Sequence, residues 1–119
     1  MQAINLAEKF ALFGEHWTPK VIARLNDLHI KAVKLQGAFV WHAHPETDEL
    51  FYVVKGRLTI ELPEGPVALA AGELFVVPRG TRHRPVAETE CEVLLIEPAG
   101  TLNTGDAGGE RTVASPDWI

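Results

Sequence analysis

Between about Lys20 and Pro98, short runs rich in β-branched and other apolar residues recur, and turn-forming residues separate them. The runs are VIARL, HIKAVKL, AFVWHAH, LFYVV, RLTIEL, VALA, ELFVVP, HRPVA and EVLLIE. The separating residues include Gly37, Lys55-Gly56, Glu64-Gly65-Pro66, Ala71-Gly72 and Arg79-Gly80. A helical repeat would not be broken so often, whereas strands of about four to eight residues fit between these turns. The pattern predicts an all-β sandwich or barrel over residues 20–98.

The first 18 residues have a different pattern. Asn5 and Glu8 have the spacing of a helix-capping box, and Leu6 and Phe10 follow at helical spacing. Gly14 stands where a glycine often ends a helix. We therefore expect one short amphipathic helix within residues 1–18, lying across the β-rich body.

The last 21 residues, AGTLNTGDAGGERTVASPDWI, are rich in glycine and small polar residues. This segment nevertheless ends in Trp118 and Ile119, two large apolar residues with which a disordered tail would seldom finish. We expect residues 99–119 to pack back on the barrel. The whole chain, 1–119, is then a single domain.

Composition limits the class of protein. A formal net charge of −5 argues against nucleic acid as a partner, because nucleic acid requires a basic face. The one cysteine, Cys91, cannot form an internal disulfide, and the N-terminal MQAINLAEKF lacks the apolar core of a secretory signal. No apolar stretch approaches membrane-spanning length. We expect a soluble cytoplasmic protein with neither nucleic acid nor membrane as a partner.

The stretch WHAHPETDE contains the first candidate site residues, His42 and His44. In a strand, residues two apart point to the same face, with Cα atoms roughly 7 Å apart. Both imidazoles would then converge on one point, with Phe39 and Trp41 on the opposite face. The spacing favours metal binding over a polar turn.

Glu49 is the second kind of candidate ligand. A two-residue turn at Lys55-Gly56 would pair Val53 with Leu58 across a hairpin. Glu49 would then share a face with large apolar residues: Phe51, Val53, Leu58, Ile60 and Leu62. A carboxylate among such residues is costly unless something compensates its charge, and a metal ion would do so.

A fourth candidate ligand, His83, follows the strand and turn in the segment GELFVVPRGTRHRP. Three imidazoles and one carboxylate suit a divalent transition metal, namely iron, manganese, zinc, nickel, cobalt or copper, and disfavour magnesium and calcium. The alternative is that such histidines are surface residues or satisfied core residues, which is our interpretation of His16 and His29. Arg79, in the turn before His83, is a candidate substrate contact, whereas alternation turns Arg82 and Arg84 away from His83.

Two stretches resemble the conserved motifs of the cupin family. The stretch from Gly37 through His42, His44 and Glu49 to Gly56 resembles the first cupin motif. The stretch from Gly72 through Pro78 and Gly80 to His83 resembles the second. The resemblance implies a double-stranded β-helix, or jelly-roll barrel, whose interior metal is held by His42, His44, Glu49 and His83.

The chain departs from the family pattern at two positions. Gly37 lies one residue nearer its histidine than in the commonest motif, and Ala87 stands where the second motif often has Asn. Neither change removes a ligand. As a whole the chain resembles the small single-domain cupins described as mannose-6-phosphate isomerase-like, a label that reflects fold more than chemistry. The resemblance also implies a homodimer, which would cover an unpaired strand edge.

Two functions follow as hypotheses. The first is a metal-dependent enzyme acting on a small anionic or chelating metabolite, with isomerase-like and dioxygenase-like chemistry both open. The second is a non-catalytic module that uses the metal to bind or sense a metabolite. No separate general base is evident from the sequence, so the catalytic residues remain unassigned.

Overall fold

A computed structural model describes the whole chain, residues 1–119, as one helix followed by seven strands. The elements are α1 (Leu6–Phe10), β1 (Lys20–Leu25), β2 (Leu28–Ala38), β3 (Glu49–Lys55), β4 (Arg57–Glu61), β5 (Val67–Ala70), β6 (Leu74–Val77) and β7 (Arg84–Pro98). The prediction of an all-β protein with a short N-terminal helix is confirmed. No helix is long and apolar enough to cross a membrane.

The strands are antiparallel and follow the order β1-β2-β7-β3-β6, with β4 pairing β5 and β7. The longest strand, β7, connects the two parts of this arrangement. Its first residues pair with β4, and its later residues lie between β2 and β3. The runs HRPVA and EVLLIE, which the sequence suggested as separate strands, are therefore one continuous strand.

Strand alternation places the main core. Most residues of β3 and β7 alternate between buried and partly buried, so that one face of each strand points into the barrel; residues 88–90 of β7 are exposed. The core consists of twelve buried residues: Val33, Leu35, Phe51, Val53, Leu58, Ile60, Leu69, Val77, Ala87, Cys91, Val93 and Leu95. Glu49 is the first residue of the inward face of β3 and is itself buried.

The predicted β3–β4 hairpin was wrong. β3 pairs with β6 and β7, whereas β4 pairs with β5 and β7. Gly56 lies against β7: a Cβ at this position would come within 3.0–3.2 Å of Cys91 and the carbonyl of Glu90. With its φ of 91°, Gly56 lets the chain pass from one part of the sheet to the other. The predicted inward face is nevertheless confirmed. Its residues are buried at Phe51, Val53, Leu58 and Ile60, and Leu62 is partly buried against the core.

The N-terminal helix is capped as its sequence indicates. The Asn5 side chain accepts a hydrogen bond from the Glu8 backbone N–H at 2.9 Å. The helix ends at Phe10 with Ala11 in the right-handed helical region, so Gly14 does not act as its cap. Phe10 and Phe13 form a second core with Ile22 and Ala32.

The end of the chain runs beside β1. Val21 donates a backbone hydrogen bond to Asp117, and Ile119 donates one to Val21, at 2.8 and 3.0 Å. The Ile119 carbonyl also accepts from the Lys9 ammonium at 2.6 Å. These contacts connect the C-terminus with both β1 and the N-terminal helix.

Candidate metal centre

His42 and His83 face each other across a backbone pair. β2 ends at Ala38, and His42 makes only a single antiparallel bridge, to His83. The two residues exchange backbone hydrogen bonds of 3.0 and 2.9 Å. This pairing brings together two ligands that are far apart in the sequence.

The prediction that AFVWHAH is a strand was wrong beyond Ala38, and this changes where Phe39 points. Phe39 is only 6% exposed, and its ring centroid lies 5.5 Å from that of His42. Phe39 and His42 therefore line the same space, although simple alternation put them on opposite faces. Alternation fails here because it holds only along a pleated, ladder-paired strand.

The four predicted metal ligands, His42, His44, Glu49 and His83, lie together. One side-chain donor atom from each is within 4.8 Å of all the others, and all four residues are buried. Donor atoms about 2.1 Å from one ion lie no more than about 4.2 Å apart. Small side-chain movements therefore suffice for the group to close on a single ion.

Backbone carbonyls orient two of the imidazoles. His42 Nδ1 lies 2.9 Å from the Val40 carbonyl, and His83 Nδ1 lies 2.9 Å from the Thr81 carbonyl. Because a carbonyl can only accept, each Nδ1 carries a proton, and in the neutral imidazole each Nε2 then has a lone pair for a metal ion. Metal-binding histidines are commonly oriented in this way.

The Nε2 atoms of His44 and His83 converge on the Glu49 carboxylate. His83 Nε2 lies 3.2 Å and His44 Nε2 lies 3.3 Å from Glu49 Oε1. His44 Nε2 is buried and has no hydrogen-bond partner. A carboxylate and imidazole nitrogens so close together in a buried space need a positive charge among them, which a proton on an imidazole or a divalent cation supplies. The donor set thus fits a divalent metal, as the sequence predicted.

The titration behaviour of the group agrees with cation binding. Burial lowers the pKa of His42 to about 4, which keeps the imidazole neutral and able to coordinate. Burial would raise the pKa of Glu49, but its contacts with His44 and His83 outweigh burial and hold the pKa below its usual range. The site therefore presents a carboxylate and a neutral His42 imidazole at neutral pH.

A buried ion pair lies beside Glu49 that the sequence analysis missed. Lys31 Nζ is 3.2 Å from Glu97 Oε2, and both side chains are almost fully buried. Burial, followed by the nearby charge of Glu49, raises the pKa of Glu97 well above its usual value. Alternation with Val33 and with Leu95 could have placed Lys31 and Glu97 inside the barrel.

The C-terminal segment holds the backbone between His42 and His44. Asp106 accepts a hydrogen bond from the Ala43 N–H through Oδ1 at 2.8 Å, and its own N–H donates to the Ala43 carbonyl at 3.0 Å. Gly105 packs so closely that a Cβ there would lie 2.3 Å from the Ala43 oxygen. This part of the sequence is rich in glycine and small polar residues, and nothing local in it indicates the contact.

Arg79, the predicted substrate contact, lies on the surface. Its backbone N–H donates to Asp48 Oδ1 at 2.8 Å, and its guanidinium Nε is 4.0 Å from the same atom. The side chain is 70% exposed and does not line the pocket that opens beside His42 and Glu49. A contact between Arg79 and a substrate stays a prediction.

The comparison with protein families decides the classification. The family model for the cupin domain matches residues 31–97, which include all four candidate ligands. The chain belongs to the cupin family. The uncharacterized protein YdbB of Bacillus subtilis (strain 168) is 38% identical over 96 residues, which cover 80% of this chain and 79% of that protein.

Two solved structures support the same conclusion. A cupin-2 domain protein from Shewanella frigidimarina is 48% identical with a TM-score of 0.79, over 80% of this chain and 93% of that one. The protein NMB1881 from Neisseria meningitidis is 33% identical with a TM-score of 0.75, over 82% of this cupin and the whole of that chain. The predicted cupin fold is thus confirmed.

Proposed function

We propose that this cupin binds a divalent transition metal through His42, His44, Glu49 and His83 and uses it to act on a small anionic or chelating metabolite. The observation that carries the proposal is the buried, unpartnered Nε2 of His44, which faces Glu49 across 3.3 Å. Three neutral imidazoles and one carboxylate would leave about one net positive charge at the site with a divalent ion bound. That charge favours an anionic or chelating ligand.

The protein's own groups determine what such a ligand would meet. The carbonyls of Val40 and Thr81 fix the imidazoles of His42 and His83, and the surrounding core excludes water. A divalent ion held there would polarise a bound carbonyl or carboxyl oxygen and, if redox-active, allow reaction with dioxygen. Isomerase-like and dioxygenase-like reactions are the two enzymatic forms of the proposal. The resemblance to mannose-6-phosphate isomerase-like cupins bears on fold only, since no lysine or arginine lines the pocket to bind a phosphate.

Turnover by the metal-loaded protein tests the enzymatic proposal. Small 2-oxo and 2-hydroxy acids would be incubated with protein loaded with iron, manganese or zinc, in air and under argon, with the His83→Ala variant as the control. Oxygen-dependent loss of substrate supports dioxygenase-like chemistry. Solvent-deuterium incorporation under argon supports isomerase-like chemistry. If no acid is converted to a greater extent than with His83→Ala, the enzymatic proposal is contradicted.

A non-catalytic binding or sensing module is the second candidate function. The observation that favours it is the pocket lining, in which no acidic or basic side chain accompanies the metal-site residues His42 and Glu49. A proton transfer would therefore have no separate general acid or base. Saturable binding of an acid to the metal-loaded protein without turnover would support this function.

We also propose a homodimer located in the cytoplasm. β6 is at the edge of the sheet and exposes Leu74 and Val76, which are 57% and 42% exposed. An apolar edge of this kind favours pairing with a second copy.

The proposed location in the cytoplasm rests on Cys91, a buried free thiol that requires no oxidising compartment.

A further inference from the structure

A narrow pocket opens against the candidate metal centre on the side of His42 and Glu49. Its empty volume is about 330 Å³ when the open mouth is included, so the enclosed part is smaller than this. Most of its wall is apolar, with Phe51 and Leu95 from the barrel core and Trp17 and Phe39 beside them. The space therefore suits a compact molecule.

The polar groups of this pocket lie almost entirely at its metal end. Besides His42 and Glu49, the one polar side chain in the lining is Asn103. Asn103 Nδ2 donates to the Arg111 carbonyl and its Oδ1 accepts from the Val113 N–H, each at 2.8 Å. A hydroxyl group placed in the pocket would thus lose its hydrogen bonds to water without finding a ready partner, which disfavours its binding.

Trp17 lines the pocket in an unusual backbone conformation, and two hydrogen bonds hold it there. Its φ of 60° is in the left-handed region, which is strained for a non-glycine residue. Its backbone N–H donates to the Lys34 carbonyl and its indole N–H donates to the Gln36 carbonyl, both at 2.9 Å. The ring stacks on Phe39, with centroids 4.7 Å apart and planes 14° from parallel.

Arg111 supports this aromatic pair from the C-terminal segment. Its guanidinium carbon lies 5.9 Å from the Trp17 ring centroid and 5.6 Å from that of Phe39. Nη1 also donates to the Ala38 carbonyl at 2.9 Å. Arg111 does not line the pocket, so its charge stabilises the stacked pair and offers no anion site inside.

We propose that this pocket binds a small, largely apolar molecule that has one metal-chelating end, and that Trp17 and Phe39 select for the apolar part. The inference rests on the proposed function, because the chelating end needs the metal. It narrows the substrate class: polyhydroxylated and phosphorylated molecules are disfavoured. Compact oxo or hydroxy acids with a hydrocarbon remainder are favoured.

Two hydroxamates that differ in a single group test the proposal. Propionohydroxamate and glycolohydroxamate carry the same chelating end, but the first has a methyl where the second has a hydroxyl. Each would be titrated into cobalt(II)-loaded protein, with binding followed by the visible absorption of the metal. We expect propionohydroxamate to bind roughly ten-fold more tightly, the ratio that about 1.4 kcal/mol produces.

Variants of Trp17 test whether this residue of the pocket wall causes the preference for propionohydroxamate. Trp17→Ala should reduce the ten-fold preference to about three-fold or less, because it opens the wall to water. Trp41→Ala is the matched control, since Trp41 lies outside the pocket between Arg82 and Arg84, and it should keep the preference. If circular dichroism shows that Trp17→Ala is unfolded, Trp17→Leu takes its place with the same expectation.

The outcomes distinguish a failure of the proposed metal-dependent function from a failure of the inference about the apolar pocket. Failure of the wild-type protein to bind cobalt overturns the proposed function and this inference with it. Cobalt binding with equal affinity for the two hydroxamates, or tighter glycolohydroxamate, overturns the inference alone. A Trp17 variant that is folded and keeps the full ten-fold preference overturns the role of Trp17.

Discussion

At the scale of single residues, the decisive feature is the convergence of acceptors on Glu49. The Nδ1 protons of His42 and His83 are used by backbone carbonyls, and the Nε2 of His44 has no partner. Burial prevents water from separating these groups. The folded chain therefore pays an electrostatic cost that a bound cation removes.

The buried ion pair of Lys31 and Glu97 provides a stability prediction. Lys31→Met should lower the free energy of unfolding by about 3 kcal/mol, because it leaves the Glu97 carboxyl buried without its partner. The measurement is urea unfolding of the metal-free proteins at pH 7. The double variant with Glu97→Leu is the control and should recover most of the loss. A loss in the double variant as large as in Lys31→Met would show that something other than an unpaired carboxyl is responsible.

Cys91 provides a prediction of pH dependence. Burial raises the pKa of its thiol from 9.0 to about 11. The unfolded chain therefore loses this proton at lower pH than the folded protein. The contribution of the thiol to the free energy of unfolding is complete below pH 9 and is lost as the pH rises towards 11. Unfolding free energies measured from pH 8 to 11 should fall more steeply than those of Cys91→Ala, by on the order of 2 kcal/mol. Parallel curves would contradict this.

At the scale of secondary-structure elements, local pattern determined faces but not partners. Alternation correctly placed Glu49, Phe51 and Val53 inside, because burial of one strand face depends only on that strand. It could not show that β3 pairs with β6 and β7, since that choice depends on residues distant in the sequence. The error at Phe39 has the same origin: the chain leaves the ladder after Ala38, which the local pattern does not reveal.

The four candidate metal ligands could be grouped from the sequence because the two motifs that contain them are local in sequence. The residues around them could not, because they come from distant parts of the chain. Asp106 and Gly105 reach the Ala43 backbone from the C-terminal segment, and Trp17 reaches the pocket from the N-terminal one. Neither contact leaves a repeat or a motif that a single sequence would show.

The C-terminal segment should contribute to metal affinity. Asp106→Ala removes the acceptor that holds the Ala43 N–H, so the backbone between His42 and His44 becomes less ordered. We expect a loss of metal affinity of about ten-fold or more, as is typical for residues that support metal ligands. Competition with a chromophoric chelator measures it. Asp106→Asn, which keeps a side-chain oxygen, should stay within about three-fold of wild type, and an unchanged affinity in Asp106→Ala would exclude this role.

At the scale of the whole molecule, β6 is one of the strands at an edge of the sheet. β6 pairs only with β3 and exposes Leu74 and Val76 to solvent, beside Leu50 and Tyr52 of β3. The candidate site lies in the interior, bounded by β2, β3 and β7 and by both ends of the chain. The proposed dimer and the proposed metal site therefore involve different surfaces and can be tested independently.

The proposed homodimer predicts a change of mass when that edge is made polar. The Leu74→Lys, Val76→Glu variant should elute as a monomer in size-exclusion chromatography with light scattering, whereas wild type should give twice that mass. Leu25→Lys is the matched control, because Leu25 is exposed on β1 away from β6 and should keep the dimer. A monomeric wild-type protein would contradict the proposed dimer.

The central claim is that His42, His44, Glu49 and His83 together hold one metal ion, and elemental analysis of the purified protein tests it most directly. Wild-type protein and a His42→Ala, His83→Ala variant would be prepared and reconstituted in parallel. The account predicts close to one equivalent of a transition metal per chain in the wild type and almost none in the variant. A wild-type protein that takes up no metal after reconstitution, or a variant that retains a full equivalent, would contradict it.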